Sequence, residues 1–168
     1  MTTERDEAIG CMTQVSALVA AHDLDWSLYD ALKQARDWWS ADLQAGEPDV
    51  TWAEANQSDA SQLAEMVIAA GSCTGQAQAR SLIEESHFGI AYRTDWVGDL
   101  RNIRTEDIAE FTILLAGGGP SVRIHGELAD GIPRRAWLEY CGTGTWQQLV
   151  AADYAALLRF SQILIGEE

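Results

Sequence analysis

Lysine is almost missing from this chain. Lys33 is the only one, and with ten arginines it faces 26 acidic residues, for a net charge of −15 over 168 residues. A field of that sign repels DNA, RNA and anionic membranes, so direct nucleic-acid binding is not expected; it attracts a basic protein surface. A nuclease-type carboxylate cluster normally keeps a lysine nearby, and Lys33 sits among acids instead. Long apolar runs are lacking too: none approaches the roughly 20 residues that span a bilayer. The first residues carry Glu4, Arg5, Asp6 and Glu7, where a secretory signal would place a basic start and an apolar stretch, so a cytoplasmic location is expected. Cysteine is sparse. Cys11, Cys73 and Cys141 lie far apart, odd in number and never in a C-x-x-C pair, which argues against a disulfide framework and a zinc knuckle.

Motifs for known chemistry are equally thin. Gly117–Gly119 is followed by Pro120 and a strand-like Val122-Arg123-Ile124, whereas a phosphate-binding loop must open a helix. Gly142-Thr143-Gly144-Thr145 has no lysine and reads as a loop. His22, His87 and His125 are isolated; only His125 with Glu127 has a spacing suited to one strand face, too little for a metal site. Cys141 with His125 on the adjoining strand is the one conceivable nucleophile–base pair, an alternative reading as a thiol enzyme. Glu84-Glu85 and Glu106-Asp107 are adjacent in sequence, so they splay apart and mark solvated faces. No cofactor, metal or catalytic site is expected.

What is present is a hydrophobic content of 47%, ordinary for a globular chain, in two textures. Up to about Ser86 the pattern is helical. Residues 4–21 predict a helix with Ile9, Met12, Val15 and Val19 on one side. Residues 25–45 predict another, with Leu28, Leu32, Ala35, Trp39 and Leu43 as its buried stripe, Gly46 as its cap and Pro48 beyond. On the opposite face of that helix fall Trp26, Asp30, Lys33 and Asp37. Thr51-Trp52-Ala53-Glu54 has capping-box spacing, with Ser58 as another helix start. Leu63, Met66, Val67 and Ala70 form a third stripe, and Thr74 is the expected N-cap of a helix through Glu85 carrying Ala79, Leu82 and Ile83 inward. From His87 onward the apolar residues alternate. Phe88–Tyr92, Phe111–Leu115, Val122–Leu128 and Ala136–Cys141 predict four strands, separated by the turns Gly117–Pro120 and Ala129–Pro133, and Ala151–Ile165 predicts a closing helix. Short connections favour antiparallel neighbours. The expected fold is α+β: one domain over 1–168, with helices over 1–86 packed with an antiparallel meander of about four strands and a C-terminal helix over 87–168.

Nine of the fifteen excess negative charges fall in the first 60 residues, which hold 12 acids and three bases. Seven tryptophans are many for this length. Trp39, Trp96 and Trp137 are expected in the core, whereas Trp26 and Trp52 lie at helix beginnings or outer faces, where a tryptophan can anchor a partner. The candidate partner-binding residues are Trp26, Asp30, Asp37, Asp42, Glu47 and Asp49.

In the C-terminal half, Phe111 to Leu128 (FTILLAGGGPSVRIHGEL), then Arg135 to Trp146 (RAWLEYCGTGTW), then Leu157 to Gly166, resemble a family of small proteins of phages, plasmids and integrative elements. That family carries a GGPxxRIxGEL strand–turn–strand, an acidic aromatic LEYQDWGTPW-like segment and an ending near FGE. The likeness reaches back, more weakly, to Gly71. Where the family has QDWGTPW, this chain has Cys141-Gly142-Thr143-Gly144-Thr145-Trp146. The resemblance implies carriage on mobile DNA. With the charge asymmetry it makes the expected function that of a non-enzymatic acidic interaction protein, in its sharpest form an anti-CRISPR or anti-restriction inhibitor that covers a basic nucleic-acid-binding surface of a host defence complex. An assembly adaptor is the alternative.

Overall fold

A computed structural model describes residues 3–44, 50–94, 108–150 and 152–166, with the side chains of residues 42–44 left out. Contacts divide the chain into two compact units, one of residues 1–19 with 80–168 and one of residues 20–79. The division falls inside helix α1 (Glu4–His22) and inside helix α5 (Gln76–Glu85).

The first unit is built on a five-stranded antiparallel sheet of β1 (Gly89–Thr94), β2 (Ile108–Ala116), β3 (Ser121–Ala129), β4 (Ile132–Cys141) and β5 (Gln147–Gln148). The spatial order is the sequence order, so the sheet is the expected meander with a short fifth strand added. Period-two alternation sends Phe111, Ile113, Val122, Ile124, Ala136 and Leu138 to one face. Covering that face are Ala8, Met12, Val15 and Val19 of α1 together with Ala156, Leu157, Phe160 and Ile163 of α6 (Tyr154–Ile165). The α1 stripe recurs at spacings of four, three and four; Ile9, one position and about 100° off it, is exposed rather than buried as its apolar character suggested. Helix α6 is capped by Asp153, whose carboxylate accepts the Ala156 amide at 3.1 Å.

The hairpin between β3 and β4 turns at Asp130-Gly131, both with positive φ (55° and 76°), the signature of a type I′ turn that an Asp-Gly pair adopts most readily. Strand β4 starts four residues earlier than expected and absorbs Pro133. It can do so because the register slips there: Glu127 faces Arg135 while Leu128 faces Pro133, leaving Arg134 as the extra residue of a bulge.

The second unit is helical, with α2 (Trp26–Gln44), the one-turn α3 (Trp52–Ala55) and α4 (Gln57–Ala70). Its core is small: Leu32, Trp52, Leu63 and Met66 are buried, with Leu28, Tyr29 and Trp39 half-buried against them. Ala35 and Val67, expected inward, are exposed. The Thr51 capping box forms as predicted, with the Thr51 amide donating to Glu54 Oε2 at 2.8 Å and the Glu54 amide to Thr51 Oγ1 at 3.3 Å. Asn56 rather than Ser58 precedes α4. Helix α5 starts two residues after Thr74, whose amide and hydroxyl both donate to Gln78 Oε1 at 2.8 Å. Gly46 and Trp96 lie outside the described residues. Among the described residues no helix is long and apolar enough to cross a membrane.

Candidate functional site

Residues 20–79 hold ten acids and two bases, a net charge of −8, whereas the sheet unit holds 16 acids and nine bases over nearly twice the length. Some of the acids of the helical unit serve local structure. Asp25 accepts the Leu28 amide at 3.0 Å at the start of α2, and Glu54 closes the capping box, whose hydrogen bonds from Thr51 hold its carboxyl below the usual range. Asp30, Asp59 and Glu65 are exposed and have no cationic partner among the described residues.

The predicted contact residues fare differently. Trp26 is half-buried: its Nε1 donates to the Ala21 carbonyl at 3.0 Å and its ring meets Tyr29 edge-on at 5.4 Å. As the first residue of α2, its indole folds back over the preceding turn instead of standing on the acidic face. Asp37 is exposed but carries its own counter-ion, accepting from Arg36 Nε and Nη2 at 3.0 and 2.8 Å. Asp30 stands free in solvent. The side chain of Asp42, and Glu47 and Asp49 altogether, lie outside the described residues. Trp52, read from sequence as an outer-face tryptophan, is buried at the heart of the helical core. Among the described residues the exposed indole is Trp38, 66% accessible beside Asp37; next to the stripe residue Trp39, it falls about 100° off the stripe, and that position was the available signal.

A second constellation lies on the sheet face opposite the core. Arg93 of β1 pairs with Glu110 of β2, and Glu110 Oε2 meets His125 Nε2 of β3 at 3.1 Å. On β4, Glu139 accepts from Trp137 Nε1 at 2.9 Å and from Arg123 Nε at 2.8 Å, and it lies 3.5 Å from His125 Nδ1. The Arg123 guanidinium rests 3.9 Å from the centre of the Trp146 ring, and Arg135 pairs with Glu127 at 3.0 Å. Cross-strand opposition sets this ladder: Glu110 faces Arg93 and Glu127, Arg123 faces Glu139, and His125 faces Trp137. Burial works to raise both Glu110 and Glu139. For Glu110 the hydrogen bonds from His125 and Arg93 outweigh it, for Glu139 those from Trp137 and Arg123, and both end below the usual glutamate range.

Chemically this is a set of occupied partners. Each carboxylate of the ladder is held by cations or N–H donors, which suits strand registration and leaves none as a free general base. His125 and Cys141 are not brought together, because His125 faces Trp137 and Cys141 faces Ser121, four residues or roughly 13 Å along the strands. Glu127 turns to Arg135 while His125 turns to Glu110, so the spacing that hinted at a ligand pair resolves into two separate contacts. Among the described residues no three potential ligands gather into a metal site. The three cysteines are free and half-buried, and burial, then the Glu7 charge, pushes the Cys11 thiol up, away from the thiolate.

The lowered pKa values make a testable statement. A carboxylate held lower in the folded chain contributes stability above its ordinary pKa, and that contribution disappears as the pH falls through the folded value. The urea midpoint of the wild type should therefore drop on acidification below the ordinary glutamate range of about 4.3. Glu139→Gln should flatten that acid limb and lower the midpoint near neutrality. An unchanged acid limb in the variant would place the acid sensitivity elsewhere.

No family model, curated protein or solved structure matches this chain.

Proposed function

We propose that this protein is a non-enzymatic acidic interaction protein whose helical unit engages a basic surface of a partner protein. The observation that carries this reading is the contrast between the units. In the sheet unit Glu110, Glu127 and Glu139 are answered by arginines, whereas residues 20–79 carry ten acids to two bases, Lys33 and Arg36. Of the predicted contacts Asp30 supports the reading best, joined by Asp59 and Glu65; Asp37, with its own arginine, contributes less. The phage- and plasmid-like pattern of the C-terminal half gives the proposal its sharper form, an inhibitor of a host defence complex that occupies a surface otherwise used for nucleic acid.

Capture from host lysate at low salt, elution with rising salt and identification of the eluted protein supply the partner. Binding to the purified partner is then expected to weaken steeply with ionic strength and to be competed by duplex DNA. Joint reversal of Asp30, Asp59 and Glu65 to lysine is expected to weaken it on the order of tenfold, three exposed charges each worth up to about 1 kcal/mol. Affinity indifferent to salt, DNA and the triple reversal would overturn the proposal.

A further inference from the structure

The helical unit carries apolar surface that its own core does not use. Helix α4 buries Leu63, Met66 and Ala70 on its inner stripe. The residues that follow each of these by one position, Ala64, Val67 and Gly71, lie about 100° round the axis and are exposed. With Ala60, half-buried at the near end, they recur at spacings of four, three and four, the spacing of a helix–helix seam. Ile68 stands beside them, one turn beyond Ala64. At 82% accessible it is the most exposed large apolar side chain among the described residues, and Val67 is exposed as well. The far end opens out: a methyl group placed on Gly71 or Gly75 meets nothing within 4 Å.

Helix formation does not account for this second stripe. Valine and isoleucine are weaker helix formers than the alanine, glutamine and glutamate around them, so they add nothing to an exposed helix face. Single exposed apolar residues need no explanation, but a contiguous patch with a polar rim marks a contact surface.

Shape and charge restrict what covers it. The backbone groups in the middle of α4 are spent within the helix, so the stripe offers no edge to a strand, and contact is left to side chains. The small Ala64 and Gly71 leave low ground beside Val67 and Ile68, which lets another helix approach closely. From Ala60 to Gly71 the stripe runs three turns, roughly 16 Å. Glu65, one turn before Ile68, is exposed and has no cationic partner among the described residues. Residues 37–79 hold seven acids and no base. A second copy of this chain would therefore set like charges along the seam, whereas a helix flanked by lysine or arginine would meet complementary charge.

We infer that Ala64, Val67, Ile68 and Gly71 form a seam on which α4 receives an amphipathic helix of a partner protein, with basic residues flanking that helix's apolar stripe. This rests on the reading of the helical unit as the partner-binding part and names a contact within it. Ile68 is the apolar anchor, and Glu65 is the charge at its side.

The experiment presents the full-length protein with a display library of helical peptides, on the order of 15–20 residues, above the length at which isolated helices are marginal. Their seam positions are drawn from Ala, Leu, Ile and Val, and their flanks from Lys, Gln and Glu. Selected peptides are expected to carry lysine on the flanks. Ile68→Ala should weaken their binding on the order of tenfold, as for loss of an apolar anchor, and Ile68→Leu should keep most of it. Glu65→Lys should weaken it and reduce its salt dependence. Alanine is the better helix former, so Ile68→Ala is expected to keep the wild-type thermal midpoint, which is measured alongside. An empty selection, flanks without a preference for lysine, or indifference to Ile68→Ala in a folded variant would each overturn the assignment. So would a wild-type dimer in sedimentation that Ile68→Ala dissociates, since a second copy would then occupy the seam. The purified partner separates this inference from the broader reading. Binding lost on joint reversal of Asp30, Asp59 and Glu65 yet unchanged by Ile68→Ala overturns the seam alone; indifference to salt and to the reversal overturns the broader reading and the basic flanks with it.

Discussion

Trp52→Ala is expected to unfold the helical unit while the sheet keeps its structure. Trp52 is the largest member of the buried cluster that it forms with Leu32, Leu63 and Met66 in the unit of residues 20–79. Truncating a buried tryptophan costs about 3–5 kcal/mol in lost transfer energy and unfilled volume. A unit of some 60 residues buries a smaller fraction of its surface than a larger domain and has little stability to spare. The sheet unit has its own core, from Phe111, Ile124, Leu138, Leu157 and Phe160, which contains none of the side chains around Trp52. Hydrogen exchange followed by mass spectrometry checks this directly: α2 and α4 should lose amide protection while β2, β3 and β4 keep theirs. Equal loss throughout would mean that the two cores unfold as one cooperative system. The same variant bears on function, since an acidic face depends on ordered helices to hold its charges in register against a partner.

Gly126→Ala should be nearly as damaging, although it adds one methyl group. Gly126 lies on the core face of β3, where an added Cβ would fall well inside contact distance of both the Phe111 ring and the Arg135 carbonyl oxygen. Overpacking of this kind costs about 1–3 kcal/mol, and the upper end is expected because one neighbour is the backbone of an adjacent strand, which cannot rotate away. Phe111→Leu in the same chain removes the ring contact and leaves the carbonyl contact. The double variant should therefore recover part of the loss, with costs that fail to add. Urea unfolding of the two single variants and the pair measures this; strict additivity would mean that Phe111 and residue 126 do not compete for the same space.

These two positions also show how far the chain could be read without coordinates. The glycine in Arg123-Ile124-His125-Gly126-Glu127-Leu128 is visible as part of a strand, but the ring that forbids a side chain there comes from β2, fifteen residues earlier. Trp52 follows a correctly read capping box, yet its burial depends on α2 and α4 closing over it, and a one-turn helix has no periodicity to announce an inner face. Trp26 was assigned to the acidic face by helical geometry alone. Its hydrogen bond runs to Ala21, before the start of α2, and a wheel drawn for α2 alone does not include that residue.

The amino-acid sequence by itself determined the local structure and the gross charge: the helical stripes, the alternating strands, the Asp-Gly turn, the order of a meander with short connections, and an excess of acid concentrated toward the start. Those features depend on residues near one another in the chain, through the 3.6 and 2.0 periods and through turn chemistry. Only the tertiary structure decided which charges are answered and which are free. Register placed Glu110 between Arg93 and His125 and Glu139 beside Arg123, put Cys141 far from His125, and left Arg134 as the extra residue of a bulge. The physical reason is that a guanidinium finds its carboxylate across strands, at a distance set by hydrogen-bond register, and no spacing along the sequence encodes that distance.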